Sequence, residues 1–189
     1  MAWHWQALMG LPRTRVSSST VGATSLAYAE WKFSLWKGRA HHWHNRARHY
    51  MVRRASDFRS TVNHWLQVMG KDPVRELADA SNIEAQFNLW RRLNKQVLAR
   101  IRRMVDLPDW QCIHNGEATW TADTGNGYYG GLQMDRDFMR SYGAYLLRTK
   151  GTANHWTPLE QMVVAQIAHN SGRGFYPWPN TARNCELIP

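Results

Sequence analysis

The sequence predicts a mostly helical α+β protein in two parts: a basic region over residues 1–105 built on a duplicated helical hairpin, then a small domain over residues 106–189. Three observations predict it. Apolar residues recur at alternating steps of three and four through two long segments of the first part, the spacing of one helical face. The charge changes sign between the parts: residues 1–105 carry 18 Lys and Arg against 6 Asp and Glu, a net +12, while residues 106–189 carry 6 against 8, a net −2. Finally, Gly125, Gly127, Gly130 and Gly131 crowd together around Tyr128 and Tyr129, where loop or hairpin chemistry replaces helical periodicity. A composition of 43% hydrophobic residues with 11 Trp excludes a disordered chain.

The duplication is read from two pairs of segments. Trp5-Gln-Ala-Leu-Met9-Gly10 recurs as Trp65-Leu-Gln-Val-Met69-Gly70, and Phe33-Ser-Leu-Trp36-Lys37 recurs as Phe87-Asn-Leu-Trp90-Arg91. The copies span about residues 1–50 and 61–104. In the first, Leu26, Ala29, Phe33, Trp36, Ala40, Trp43, Ala47 and Tyr50 share a face; in the second, Ala80, Ile83, Phe87, Trp90, Asn94, Val97, Ile101 and Met104 do. Such seams suit another helix, and antiparallel pairing of the two is expected. Asn94 is the one polar member of its seam, the residue type that sets register at a cost in stability.

Asp106-Leu-Pro108-Asp109 interrupts the periodicity and marks the boundary between the parts. Residues 135–147 read as helix. Thr157-Pro158-Leu159-Glu160 is a helix start, with Thr as N-cap, Pro in the first turn and Glu placed to complete a capping box. The apolar run through Met162, Ala165, Ile167 and Ala168 is expected to be buried, with Gly172 and Gly174 ending it. The two cysteines, Cys112 and Cys185, have no zinc-site spacing. They are either one disulfide, which implies an oxidising compartment, or two buried thiols. No run of about 20 apolar residues is present to span a membrane. No leader with a continuous apolar stretch is visible at the start.

Three constellations carry candidate chemistry. His41, His42, His44 and His49 put two imidazoles on one helix face, but no Cys or carboxylate nearby completes a metal site, so a solvated basic face is the expectation and no metal or cofactor is assigned. Thr124-Gly-Asn-Gly-Tyr-Tyr-Gly-Gly131 matches G-x-G-x-x-G in letters. It neither follows a buried strand nor opens a helix, which argues against nucleotide binding. Glu117, in Cys112-Ile-His-Asn-Gly-Glu117-Ala-Thr-Trp120, stands at the end of a short apolar segment. A carboxyl shielded from water keeps its proton more readily, and cleavage of a glycosidic bond requires protonation of the leaving oxygen.

Cys112, Glu117, Trp120 and the run Thr124-Gly-Asn-Gly-Tyr-Tyr-Gly-Gly-Leu-Gln133, with Trp178-Pro and Cys185 near the end, resemble the resuscitation-promoting-factor and transglycosylase-like domains of actinobacteria and their phages. The resemblance covers about residues 109–188. It implies a compact lysozyme-like fold acting on peptidoglycan glycan strands, with Glu117 as the catalytic acid. It also implies Trp120, Thr124, Tyr128, Tyr129, Gln133 and Trp178 as cleft or substrate-side positions, and Cys112–Cys185 as a disulfide. Lysozymes proper carry Asp-Tyr-Gly-x-Leu-Gln after their catalytic Glu. Here Tyr128 stands in place of that Asp, which points to a one-carboxylate, lytic-transglycosylase mechanism. Asp123 and Asp135 are the nearby rivals for a second carboxylate, so a muramidase-type hydrolase is the alternative, and a non-catalytic wall-binding module another. Many resuscitation-promoting factors place Glu directly after Cys. The four intervening residues here resemble the transglycosylase-like branch. The resemblance further implies an extracellular or cell-wall location, on a bacterial or phage-borne protein. The +12 region is expected to hold anionic wall polymers rather than nucleic acid.

Overall fold

The computed structural model describes residues 23–75 and 82–189, and the side chains from residue 28 onward within the first helix. The Trp5–Gly10 copy and Ala80 lie outside the described residues, as does the side chain of Leu26. The chain forms two compact units, residues 1–47 and 48–189. The described helices are α1 (Ala23–Val68), α2 (Ile83–Met104), α3 (Leu107–Glu117), α4 (Arg136–Tyr142), α5 (Ala144–Lys150), α6 (Pro158–Ala168) and α7 (Pro179–Asn184). Among the described residues β structure is confined to two isolated bridges, Asp123 with Tyr129 and Tyr129 with Met134. The β part of the expected α+β class is therefore one small loop.

The first unit contributes the N-terminal half of α1. Tyr28, Trp31, Phe33, Leu35, Trp36 and Trp43 are all exposed there. Lysine and arginine side chains lie over three of the rings: Lys32 over Tyr28, Lys37 over Phe33 and Arg46 over Trp43. Such cation–π contacts partly shield the aromatic surface from water.

The second unit corrects the expected hairpin in two ways. First, nothing between Met51 and Asn63 breaks a helix, and α1 runs on through Trp65 to Val68, so the second Trp-x-x-x-Met-Gly segment closes α1 instead of opening a new element. Second, α1 and α2 run side by side in the same direction. Both deliver their C-terminal ends to α6: His64 meets Glu160 at 2.7 Å, and the Asp106 amide, just beyond α2, reaches Gln166 at 3.3 Å. Six residues of α6 span only about 9 Å, a separation that antiparallel helices in this contact could not produce. Beyond α1, residues 69–75 turn back against its last turns, where Asn63 grips Val74 through both its side-chain atoms (Oδ1 from Val74 N, 2.9 Å; Nδ2 to Val74 O, 3.3 Å).

The second seam does what its spacing implies. Trp90, Val97 and Ile101 are buried, and Phe87 packs between Tyr50 and Phe58 of α1. Asn94 Oδ1 is buried without a hydrogen-bond partner, a cost of about 1–3 kcal/mol. The same core continues past Asp106 into Trp110, Ile113, Leu132, Met139, Leu146, Val163 and Val164.

α6 is the axis of this core. Its start is the capping box read from the sequence, with Thr157 and Glu160 each accepting from the other's backbone amide. The predicted helix over 135–147 is two helices parted at Gly143, where the Trp156 ring leaves no room for a side chain.

Glu160, nearly fully buried, gathers Lys150 Nζ on both oxygens (2.7 and 2.9 Å) and His64 on Oε1. Burial opposes its ionisation. The hydrogen bonds from His64, Lys150 and the Thr157 amide outweigh that penalty and hold its carboxyl at about 2, below the ordinary 4.5. A carboxyl depressed in the folded state contributes stability that is present above the unfolded value and is lost as pH falls through the folded one. Thermal midpoints measured from pH 5 down to pH 2 should therefore fall more steeply for the natural protein than for Glu160→Gln. Parallel curves would show that this cluster does not tie the end of α1 to α6 in the way its geometry implies.

Candidate active site

Glu117 is the last residue of α3 and is half-buried. The Thr181 hydroxyl donates to its Oε1 at 2.5 Å. Thr181 is buried on α7, and α7 is fixed to α3 by the disulfide Cys112–Cys185, with a Cα–Cα distance of 6.0 Å. Cys112 and Gly116 are one helical turn apart on α3, and Thr181 and Cys185 one turn apart on α7. The two helices are thus joined by a covalent bridge and, one turn on, by the contact that holds Glu117.

The loop after α3 owes its shape to α6. Next to the buried Glu160 on α6, Gln161 is wholly buried. Its Oε1 accepts from the Gly131 amide at 2.9 Å, and its Nε2 donates to the carbonyls of Trp120 (2.8 Å), Ala153 (2.9 Å) and Trp156 (3.2 Å). Gly130 has φ +74, and a Cβ there would strike the Gln161 amide, so only glycine allows this approach. Within the loop, the Tyr129 and Met134 backbones exchange two hydrogen bonds of 3.0 Å, and Gly130 N donates to Ala122 O at 2.8 Å. Trp178 Nε1 donates to Leu132 O at 2.6 Å, which pins the far side of the loop to the residue that precedes α7.

The residues expected at the cleft separate into two groups. Tyr128 (exposed), Gln133 and the edge of Trp178 line a cavity of about 350 Å³ together with Asp135, Tyr142 and Arg173. Gln133 is held with φ +47, its Nε2 donating to Gly130 O at 2.9 Å. Trp178 is mostly a packing residue, buried against Trp110 and Phe138. The others lie off this cavity. Trp120 stacks on His114, with ring centroids 3.8 Å apart, and Tyr129 is half-buried beneath Arg136. Thr124 is exposed at the loop tip. Glu117 does not line the cavity; its partner Thr181 lies three residues beyond Trp178 in the chain. Of the rival carboxylates, Asp135 is engaged as the N-cap of α4, accepting from Phe138 N at 2.7 Å. Asp123 is exposed and accepts only from Gly125 N at 3.4 Å.

Two site residues escape a reading of the sequence. Gln161 is signalled only as a polar residue that, with Glu160, opens the apolar run of α6. Thr181 is signalled only by its one-turn spacing from Cys185. His41 and His44 are exposed, and among the described residues no three His, Cys, Asp or Glu side chains gather as a metal site. Among them, too, no helix is long and apolar enough to cross a membrane.

A half-buried glutamate at a helix end, hydrogen-bonded on one oxygen by a disulfide-linked helix, has a second oxygen with which it can protonate a ligand atom. In comparison with known families, residues 106–181 match the family model described as transglycosylase-like domain. This part of the chain is similar to the lysozyme-like transglycosylase-like domains found in resuscitation-promoting-factor proteins, which supports a lysozyme-like cell-wall enzyme in general.

Proposed function

We propose that residues 106–189 cleave the β-1,4 bond between N-acetylmuramic acid and N-acetylglucosamine in peptidoglycan as a lytic transglycosylase, with Glu117 as the one catalytic carboxylate. The observation that carries this reading is the seating of Glu117. It is half-buried and, among the described residues, hydrogen-bonded on one oxygen alone, while Asp135 is occupied as a helix cap and a tyrosine stands at position 128. In the first step Glu117 protonates the bridging oxygen as the bond to the muramyl C1 breaks. In the second, the Glu117 carboxylate takes the proton of the muramyl C6 hydroxyl, whose oxygen closes on C1 to give a 1,6-anhydro ring. The acid is regenerated and no water is consumed. Tyr128 and Gln133 at the cavity are assigned to a sugar ring beside the scissile bond, with Trp120, Thr124, Tyr129 and Trp178 shaping or flanking that surface. Asp123, exposed in the same loop, is the group that would activate water if the enzyme were a hydrolase. Mass spectrometry of the fragments released from purified peptidoglycan separates the two. Anhydromuramyl ends are expected, and reducing muramyl ends would move the assignment to hydrolysis.

The basic region is assigned to anionic polymers of the cell wall, outside the cell, where the disulfide is also at home. Its support is the +12 charge of residues 1–105 and the exposed Lys32, Lys37, Arg39 and Arg46 of α1. Co-sedimentation with purified walls should weaken as salt rises. Binding that ignores salt would contradict this assignment, and tighter, steeply salt-dependent binding to duplex DNA would replace it.

A further inference from the structure

We infer that Thr181 is the positioning residue of Glu117 and that Gly116 exists to let it approach, an inference that rests on the reading of Glu117 as the catalytic acid. Thr181 supplies the one hydrogen bond to the Glu117 side chain among the described residues. A threonine hydroxyl carries a single proton, and here it is committed to Oε1. Oε2 is left as the oxygen that carries and returns the catalytic proton. The threonine is itself over-determined. It is buried, its methyl presses on the Cα of Gly116, and the Cys112–Cys185 bridge lies one turn away on both helices. A Cβ at Gly116 would collide with Thr181 Cγ2, yet would lie an ordinary 3.4 Å from the hydroxyl oxygen.

This asymmetry separates a role for the hydroxyl from a role for packing. Gly116→Ala drives Thr181 away from Glu117, and Thr181→Ser removes the colliding methyl while keeping the hydroxyl. Thr181→Val keeps the shape and removes the donor.

The test compares kcat and KM for release of soluble fragments from peptidoglycan, with thermal midpoints alongside, for Thr181→Val, Thr181→Ser, Gly116→Ala, the double variant Gly116→Ala/Thr181→Ser, and Glu117→Gln. Misplacing a catalytic group by about 1 Å costs on the order of 100-fold in rate. A kcat loss of that order with KM unchanged is expected for Thr181→Val and for Gly116→Ala. Thr181→Ser should remain near the natural rate, and the double variant should recover most of what Gly116→Ala loses. The inference is overturned if Thr181→Val keeps its kcat, if its loss appears in KM alone, or if Thr181→Ser is as impaired as Thr181→Val. Should Thr181→Val fail to fold, the Gly116→Ala pair decides: no recovery in the double variant overturns the inference. Activity retained by Glu117→Gln would instead overturn the reading of the catalytic acid itself.

Discussion

Glu117→Gln is expected to lower peptidoglycan cleavage by about 100- to 10,000-fold, the range that a positioned general acid contributes, while leaving the thermal midpoint nearly unchanged. The amide has no proton to give to a glycosidic oxygen and cannot take one back from a C6 hydroxyl. Its Oε1 still accepts from Thr181, so the join between α3 and α7 survives. The disulfide-linked backbone does not depend on the charge of this side chain. The measurement is the initial rate of fragment release at several peptidoglycan concentrations, with a thermal melt as the control. A variant with near-natural rate would remove Glu117 from the chemistry. A variant that loses rate only because it melts would show that the residue is structural.

The second large effect is on stability. Gln161→Leu puts an apolar side chain one bond shorter in place of the amide and withdraws one acceptor and one donor group from the centre of the core. The Gly131 amide and the carbonyls of Trp120 and Trp156 would lose the partner that Gln161 gives them, while the Ala153 carbonyl would keep only the Trp156 amide. An orphaned buried polar group costs about 1–3 kcal/mol, and part of that total is recovered by local rearrangement. A loss of about 3–5 kcal/mol is expected, seen as a thermal midpoint lower by roughly 10–17 °C for a unit of this size. The loop is the element held, so hydrogen exchange at the Gly131 amide should accelerate more than exchange within α6. A midpoint within a degree or two of the natural protein would show that Gln161 does not organise the loop.

Much of the second unit is legible in the sequence because it is built from local signals. The Thr157–Glu160 capping box needs only four adjacent residues, and it forms as read. The seam from Phe87 to Ile101 declares its buried face through spacing alone. The pairing of Cys112 with Cys185, which the family resemblance implies, is present.

What escaped depends on contacts far apart in the chain. The direction of α2 relative to α1 is not written in the spacing of either seam, and the contact that folds the chain back at the end of α1, Asn63 with Val74, joins residues eleven positions apart. Spacing in a repeat says which residues share a face, not what covers it. Phe33, Trp36 and Trp43 match Phe87, Trp90 and Val97 in pattern, yet they are exposed where the latter are packed. Gln161 and Thr181 are side chains whose work is visible only once the loop and α3 lie against them.

The central claim is that one carboxylate performs both proton transfers, and the ends of the products record it. Purified peptidoglycan digested by the natural protein and by Glu117→Gln, with the soluble fragments weighed by mass spectrometry, reads this directly. The account predicts anhydromuramyl ends from the natural protein and none above background from the variant. Reducing muramyl ends from the natural protein would contradict it, because they require an attacking water that this mechanism does not use.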